Sequence, residues 1–195
     1  MSERRPSPGR PRDTELDEAI LEAARELLGD VGYEALSLAA IATRAGTTRP
    51  AIYRRYADKD EIAVAAIASL SEATAPKPSG DHRRDLLAEL QSFRSGIVAA
   101  NGLPLAASIL TDATSPSVKA VYRKRVVAPR RARLAAILQA AHRADEITAG
   151  PADQRVAITM CTGSWYGFAI AGTPPPTDWA ARTARLVWVA VGGTS

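Results

Sequence analysis

The sequence predicts an all-α protein, and two observations carry that expectation. Alanine is abundant while aromatic residues make up only 5% of the chain and β-branched runs are sparse. Alanine loses no side-chain entropy in a helix, so this composition favours helix over strand. Apolar residues also recur at spacings of three and four rather than two, the period of a helix with one buried face. With 195 residues, 46% of them hydrophobic, the chain can bury a core and build one domain or two small ones.

Residues 1–12 are rich in proline and arginine and are expected to form a disordered basic arm. The first helix then starts near Asp13 or Thr14. Leu16, Ile20, Ala23, Ala24, Leu27, Leu28 and Val31 fall on one face and the acids on the other. Gly32 is placed to take the left-handed conformation that closes it. Ser37 is an N-cap for a second, short helix over 38–44, and Gly46 stops that helix. Thr48 can cap a third, 49–56, in which Pro50 occupies the first turn, where a missing N–H costs nothing. Asp58 with Glu61 reads as a capping box opening a fourth helix that runs to about Ser71.

The segment "ATAPKPSGDHR" gathers proline, glycine and serine and interrupts the helical pattern. The domain boundary is therefore expected between Ala73 and Gly80, giving a first domain over 13–73 and a second over 80–195. In the second, helices are expected near 81–100, 103–113, 116–142, 152–171 and 177–191.

Charge is distributed unevenly. The formal net charge is +4 with a pI near 9.5, which suits nucleic acid or another acidic partner without identifying one. Residues 13–34 are acidic, with only Arg25 against them. Positive charge gathers in the arm (Arg4, Arg5, Arg10, Arg12), in 45–62, and between Lys119 and Arg143. The single cysteine, Cys161, allows no intramolecular disulfide, and a reducing cytoplasm is the expected setting. No apolar run reaches the roughly 20 residues that span a bilayer, and the N-terminus has no apolar stretch of the kind a secretory signal needs. No membrane partner and no cofactor is expected. An enzyme would have to work with only two histidines, His82 and His142, far apart in sequence. There is no phosphate-cradling glycine loop, nucleophile elbow or metal-ligand spacing, so no catalytic or metal-binding residue is assigned.

The stretch "AGTTRPAIYRRYADKDEI" (45–62) explains its own crowding once the helices are placed. Helix, tight turn at Gly46 and second short helix make a helix-turn-helix. Its second helix must present donors to a major groove and small apolar anchors to the protein. Ala45, Ala51 and Ile52 can pack inward, leaving Thr47, Thr48, Arg49, Tyr53 and Arg54 outward. Thr48 also brings a hydroxyl to a helix N-terminus, and the Lys59 ammonium could clamp a flanking phosphate. Tyr56 is expected to pack between helices instead.

Residues 14–62 resemble the DNA-binding domain of TetR-family transcriptional regulators. The resemblance rests on an alanine- and leucine-rich first helix followed by "GY", a hydroxyl at Ser37, "IA" at 41–42 and "AG" at 45–46. Tyr53, an aromatic at Tyr56, Lys59 and the lead-in "GRPRD" complete it. It implies that Ser37 caps the second helix beside a phosphate and that Thr48, Arg49, Tyr53 and Lys59 contact DNA, with Arg54 a further candidate. Three positions depart from the family pattern. Thr47 stands where valine is usual, Pro50-Ala51 replaces a small-Thr pair, and Asp58 replaces a serine cap.

The segment "RRARLAAILQAAHRADEITAGPADQRVAITMCTGSWYGFAIAG" is similar, more loosely, to the C-terminal region of one subgroup of that family. The resemblance implies a homodimer built on the last two helices, an unidentified small-molecule effector in the second domain, and repression from a palindromic operator as the default outcome. Other features keep two readings at this stage. Arg10 and Arg12 can thread a minor groove or belong to a tail that attracts DNA non-specifically. Trp165, Tyr166 and Phe168, among glycines at 163, 167 and 172, can serve a dimer contact, a pocket or the core. The eight basic residues between Ser115 and Ala144, with no acid among them, are read as the wet face of a long helix. A basic architectural protein without sequence specificity is the rival reading.

Overall fold

In the computed structural model residues 11–69, 75–99 and 114–194 are described, and every regular element among them is helical. They divide into two units. One holds 11–69 and 114–119, the other 75–99 and 120–194.

In the first unit, α1 (Pro11–Asp30) is followed by a single turn, α2 (Gly32–Ala35), then α3 (Leu38–Arg44), α4 (Arg49–Tyr53) and α5 (Lys59–Ala68). The first helix is described from Pro11 and already includes Asp13 and Thr14, the expected start. Gly32 has φ +77°, as its place after α1 requires. The unexpected α2 forms because the chain turns at once to bury Tyr33, which is 5% exposed and donates its hydroxyl to Asp60. Helix α1 packs against α3 and α5, and α3 against α4. Ile20, Leu28, Ile41, Ile52, Ile62 and Ile67 are fully shielded from solvent where these faces meet. Each such side chain contributes about 1.5–3 kcal/mol relative to exposure.

The second unit is built from α6 (His82–Ala99), α8 (Ala128–Arg143), α9 (Pro151–Ile170) and α10 (Trp179–Ala190). The short α7 (Pro116–Tyr122) leads into α8 through a π-helical turn, Arg123–Val127, so the helix expected over 116–142 is not uniform. Pro129 gives the reason. It has no N–H to donate to Arg125, and its ring would press on that carbonyl. The extra residue in the turn, where Ala128 N–H reaches back to Arg123 O, carries the chain past it.

Helix α6 packs against α8, α9 and α10, and α9 against α8 and α10. At the centre Phe93, Trp165 and Trp179 meet edge-on or tilted, with centroids 5.0–6.2 Å apart. The Trp179 indole donates to Ser164 Oγ at 3.1 Å. Cys161 is fully buried there and burial pushes its thiol up to about 12, so it packs as a small apolar side chain. The helix expected over 103–113 lies outside the described residues. No described helix is long and apolar enough to cross a membrane.

Candidate functional site

The turn between α3 and α4 is fixed by the backbone. After α3, Gly46 takes φ +63°. Its N–H bonds Thr43 O at 3.3 Å, and Thr47 N–H bonds Ala42 O at 2.9 Å. These two bonds close the helix in a Schellman motif. A Cβ on Gly46 would meet nothing within 4 Å, so conformation, and not space, calls for glycine here.

Each helix of the motif starts on a side-chain cap. Ser37 Oγ accepts from Ala40 N–H at 3.1 Å and Thr48 Oγ1 from Ala51 N–H at 3.3 Å. Asp58 Oδ1 accepts from Glu61 N–H at 2.9 Å. The return bond of that capping box goes one residue further back than usual, from Ala57 N–H to Glu61 Oε2 at 2.6 Å. Helix α4 ends at Tyr53, earlier than the expected Tyr56, and Arg55 and Tyr56 N–H still reach back to Ile52 O. Tyr56 is half-buried, as its expected packing role requires.

Ala51 and Ile52 face the interior, 5% and 0% exposed. Thr48, Arg49, Tyr53 and Arg54 lie exposed on the opposite side, and Thr47 is half-buried at the turn. Arg49 and Arg54 make no ion pair among the described residues. Two other arginines of this region are occupied. Arg44 bonds Glu26 at 3.0 Å and Asp30 at 3.3 Å on α1, and these bonds raise its pKa. Arg55 pairs with Asp17 and also donates to Ala51 O at 3.1 Å.

Lys59 has a structural task that sequence reasoning missed. Its Nζ donates to the carbonyls of Tyr33 and Glu34 at 3.4 and 3.3 Å, and lies 4.5 Å from the centroid of the Tyr33 ring. Two of three ammonium donors thus close the end of α2, leaving one for another acceptor. The signal was the "GY" turn itself, whose carbonyls need a partner. Arg10 lies outside the described residues, and Arg12 falls in the first turn of α1.

In the second unit the aromatic candidates separate. Trp165 is 8% exposed and belongs to the core, while Tyr166 and Phe168 are half-buried against it. Of the basic run, Arg123, Lys124 and Arg125 face solvent, but Arg130 and Arg133 turn inward. Among the described residues no group of three or more His, Cys, Asp or Glu side chains could hold a metal ion.

An all-helical chain carrying a capped helix-turn-helix with a polar outer face is a helix-turn-helix transcriptional regulator by class. The family follows from comparison. Residues 20–66 match the bacterial regulatory proteins of the tetR family, and residues 76–187 match the tetracyclin repressor-like C-terminal domain. The chain belongs to the TetR family of transcriptional regulators, whose members are not enzymes. An uncharacterized helix-turn-helix-type regulator of Mycobacterium tuberculosis is 31% identical over 144 residues, 73% of this chain and 69% of that one. The class A tetracycline repressor from Escherichia coli transposon 1721 is 31% identical over 84 residues, 41% of this chain and 39% of the repressor. The Bacillus subtilis regulator FadR, solved with stearoyl-CoA, shares the fold at TM-score 0.66 and 18% identity, covering 91% of this chain and 99% of FadR.

Proposed function

We propose that this regulator is a homodimeric repressor that reads a palindromic operator and leaves it when a small molecule binds. In this reading residues 13–73 engage DNA, and 80–195 carry dimerisation and the effector. The single observation that carries it is the division of labour around α4. Arg44 and Arg55 are tied to acids of α1, whereas Thr48, Arg49, Tyr53 and Arg54 are exposed. Those four suit a major groove, where arginine reads guanine edges and hydroxyls reach bases or phosphates. Thr47, Ser37 and the third donor of Lys59 suit the flanking backbone. The minor-groove role of Arg10 and Arg12 is part of the same proposal.

One short helix reads too few base pairs to be specific. Two-fold symmetry places a second copy about one helical turn away, roughly 34 Å along the duplex. An effector favouring a conformer with another spacing would release the dimer. Coupling of this kind is typically about 1–3 kcal/mol and is reciprocal, so operator DNA weakens effector binding by the same factor.

Selection of binding sites from random DNA tests the reading. A palindromic consensus with half-sites about 10 base pairs apart is expected. Retention of DNA without sequence enrichment would overturn it in favour of an architectural protein.

A further inference from the structure

Helices α6 and α10 border a groove of about 620 Å³. Its walls carry four arginines, Arg83 and Arg84 from α6 and Arg182 and Arg185 from α10. The two carboxylates beside them, Asp81 and Asp178, are engaged. Asp178 accepts from Arg182 Nε at 2.7 Å, which lowers the Asp178 pKa and raises that of Arg182. Asp81 accepts from Arg84 N–H at 2.9 Å and so caps α6. The side chains of Arg83, Arg84 and Arg185 are exposed and make no ion pair among the described residues. Arg83 and Arg84 also stand in the first turn of α6, where the helix dipole opposes a cation. Acids near that turn have other partners. Asp85 accepts from Ser79 N–H and Oγ at 2.8 and 2.6 Å, and Glu146 Oε2 lies 2.9 Å from His82 Nδ1.

We propose that this groove is a binding site for an organic phosphate monoester. Charge decides the class. With Asp178 and Arg182 balancing each other, Arg83, Arg84 and Arg185 stand against Asp81 alone, an excess of two positive charges. A phosphate monoester carries about −1.5 to −2 at neutral pH and offers three acceptor oxygens. Arginine grips such a group with two parallel N–H bonds, and arginines from two helices can share its oxygens. A single carboxylate would leave charge uncompensated, and a cation would be repelled. The organic part also has a place, since Leu87 and Ala184 line the same groove. The volume falls within the roughly 300–1,000 Å³ of sites for small organic ligands. The inference goes beyond the repressor reading and does not depend on it, because binding is read without DNA.

Calorimetric titration of the full chain with phenyl phosphate tests it. Methyl phenyl phosphate (a diester of single charge), inorganic phosphate and phthalate serve as comparisons. Phenyl phosphate is expected to bind about tenfold or more tightly than any of them, the usual scale for a charge-assisted bond. Arg83→Gln combined with Arg185→Gln removes one guanidinium from each wall and should lower its affinity by about tenfold or more. Arg94→Gln combined with Arg155→Gln removes the same charge from exposed positions outside the groove. That control should stay within about twofold of wild type, because distant surface charges are screened. All four positions are exposed, so both variants should fold, which far-ultraviolet circular dichroism checks. The wild-type comparison decides the matter if one does not. Equal binding of monoester and diester overturns the proposal. Equal binding of inorganic phosphate does so too, since it marks an ion site only, and equal binding of phthalate marks a site for any dianion. An equal loss in both double variants would show attraction to net charge alone. If the groove serves nucleic acid instead, phenyl phosphate does not bind, and the groove variant flattens the salt dependence of non-specific DNA binding. That result also overturns it.

Discussion

Arg55 is held by Asp17 and by the Ala51 carbonyl, while Arg54, one residue earlier, is exposed and has no ion pair among the described residues. Neighbours in sequence thus differ in what their loss should do. Tyr53→Ala and Arg54→Ala are expected to weaken operator binding by about 1–3 kcal/mol, the range of a base contact, with folding and assembly intact. Arg55→Ala is expected to lower the melting temperature first, since it breaks a tie between α4 and α1. Gel-shift titration beside a thermal melt distinguishes the two, and unchanged binding in both Tyr53 and Arg54 variants would contradict the proposed contacts. The outward set was legible because a short helix with Ala51-Ile52 inside has only one polar face. The fixed arginines were not legible. Glu26, Asp30 and Asp17 lie 14 to 38 residues away from them, and no local pattern joins residues that tertiary packing brings together. Arg130 and Arg133 escaped for the same reason: a run of eight bases reads as a wet helix face until α6 supplies Glu89 and Phe93.

At the scale of elements, caps and breakers were the most readable signals. Ser37, Thr48 and Asp58 all accept the N–H bonds their positions imply. What sequence left unread came from local exceptions to helix rules. The one-turn α2 is held by Tyr33 and Lys59, and the π-helical turn before α8 is forced by Pro129. Asp58 is the cap with a consequence for function, because it sets a carboxylate beside the proposed DNA surface. Asp58→Ala removes the bond to Glu61 N–H and should cost about 0.5–2 kcal/mol, read as a lower urea midpoint. Asp58→Ser restores a cap without the charge, so it should keep the midpoint near wild type. Both variants should bind operator more tightly at low salt, where an anion near phosphate is least screened. Tighter binding by neither would mean that the carboxylate does not face the duplex.

For the whole molecule, the question is what covers the outer faces of α9 and α10. On α9, Val156 is 60%, Met160 47% and Ile170 89% exposed, and Gly163 and Gly167 continue the same side at spacings of three and four. On α10, Leu186 and Val189 are 56% and 48% exposed. A Cβ on either glycine would touch nothing within 4 Å, so packing among the described residues does not explain them. In the proposed dimer they would let a helix of the second copy approach closely, since small residues let backbones come together. In the proposed dimer the contact face would be this apolar stripe, since Trp165 is 8% exposed and lies in the core. Wild-type protein should be a dimer by light scattering at micromolar concentration. Met160→Glu combined with Leu186→Glu places charges on both faces, and an unpaired charge at an interface costs more than the lost apolar area. That variant should be monomeric with its helical circular dichroism retained, because neither side chain belongs to the buried core. It should also lose specific operator binding, since a single α4 cannot supply two half-sites. A wild-type monomer, or a double variant that still dimerises, would place the assembly surface elsewhere.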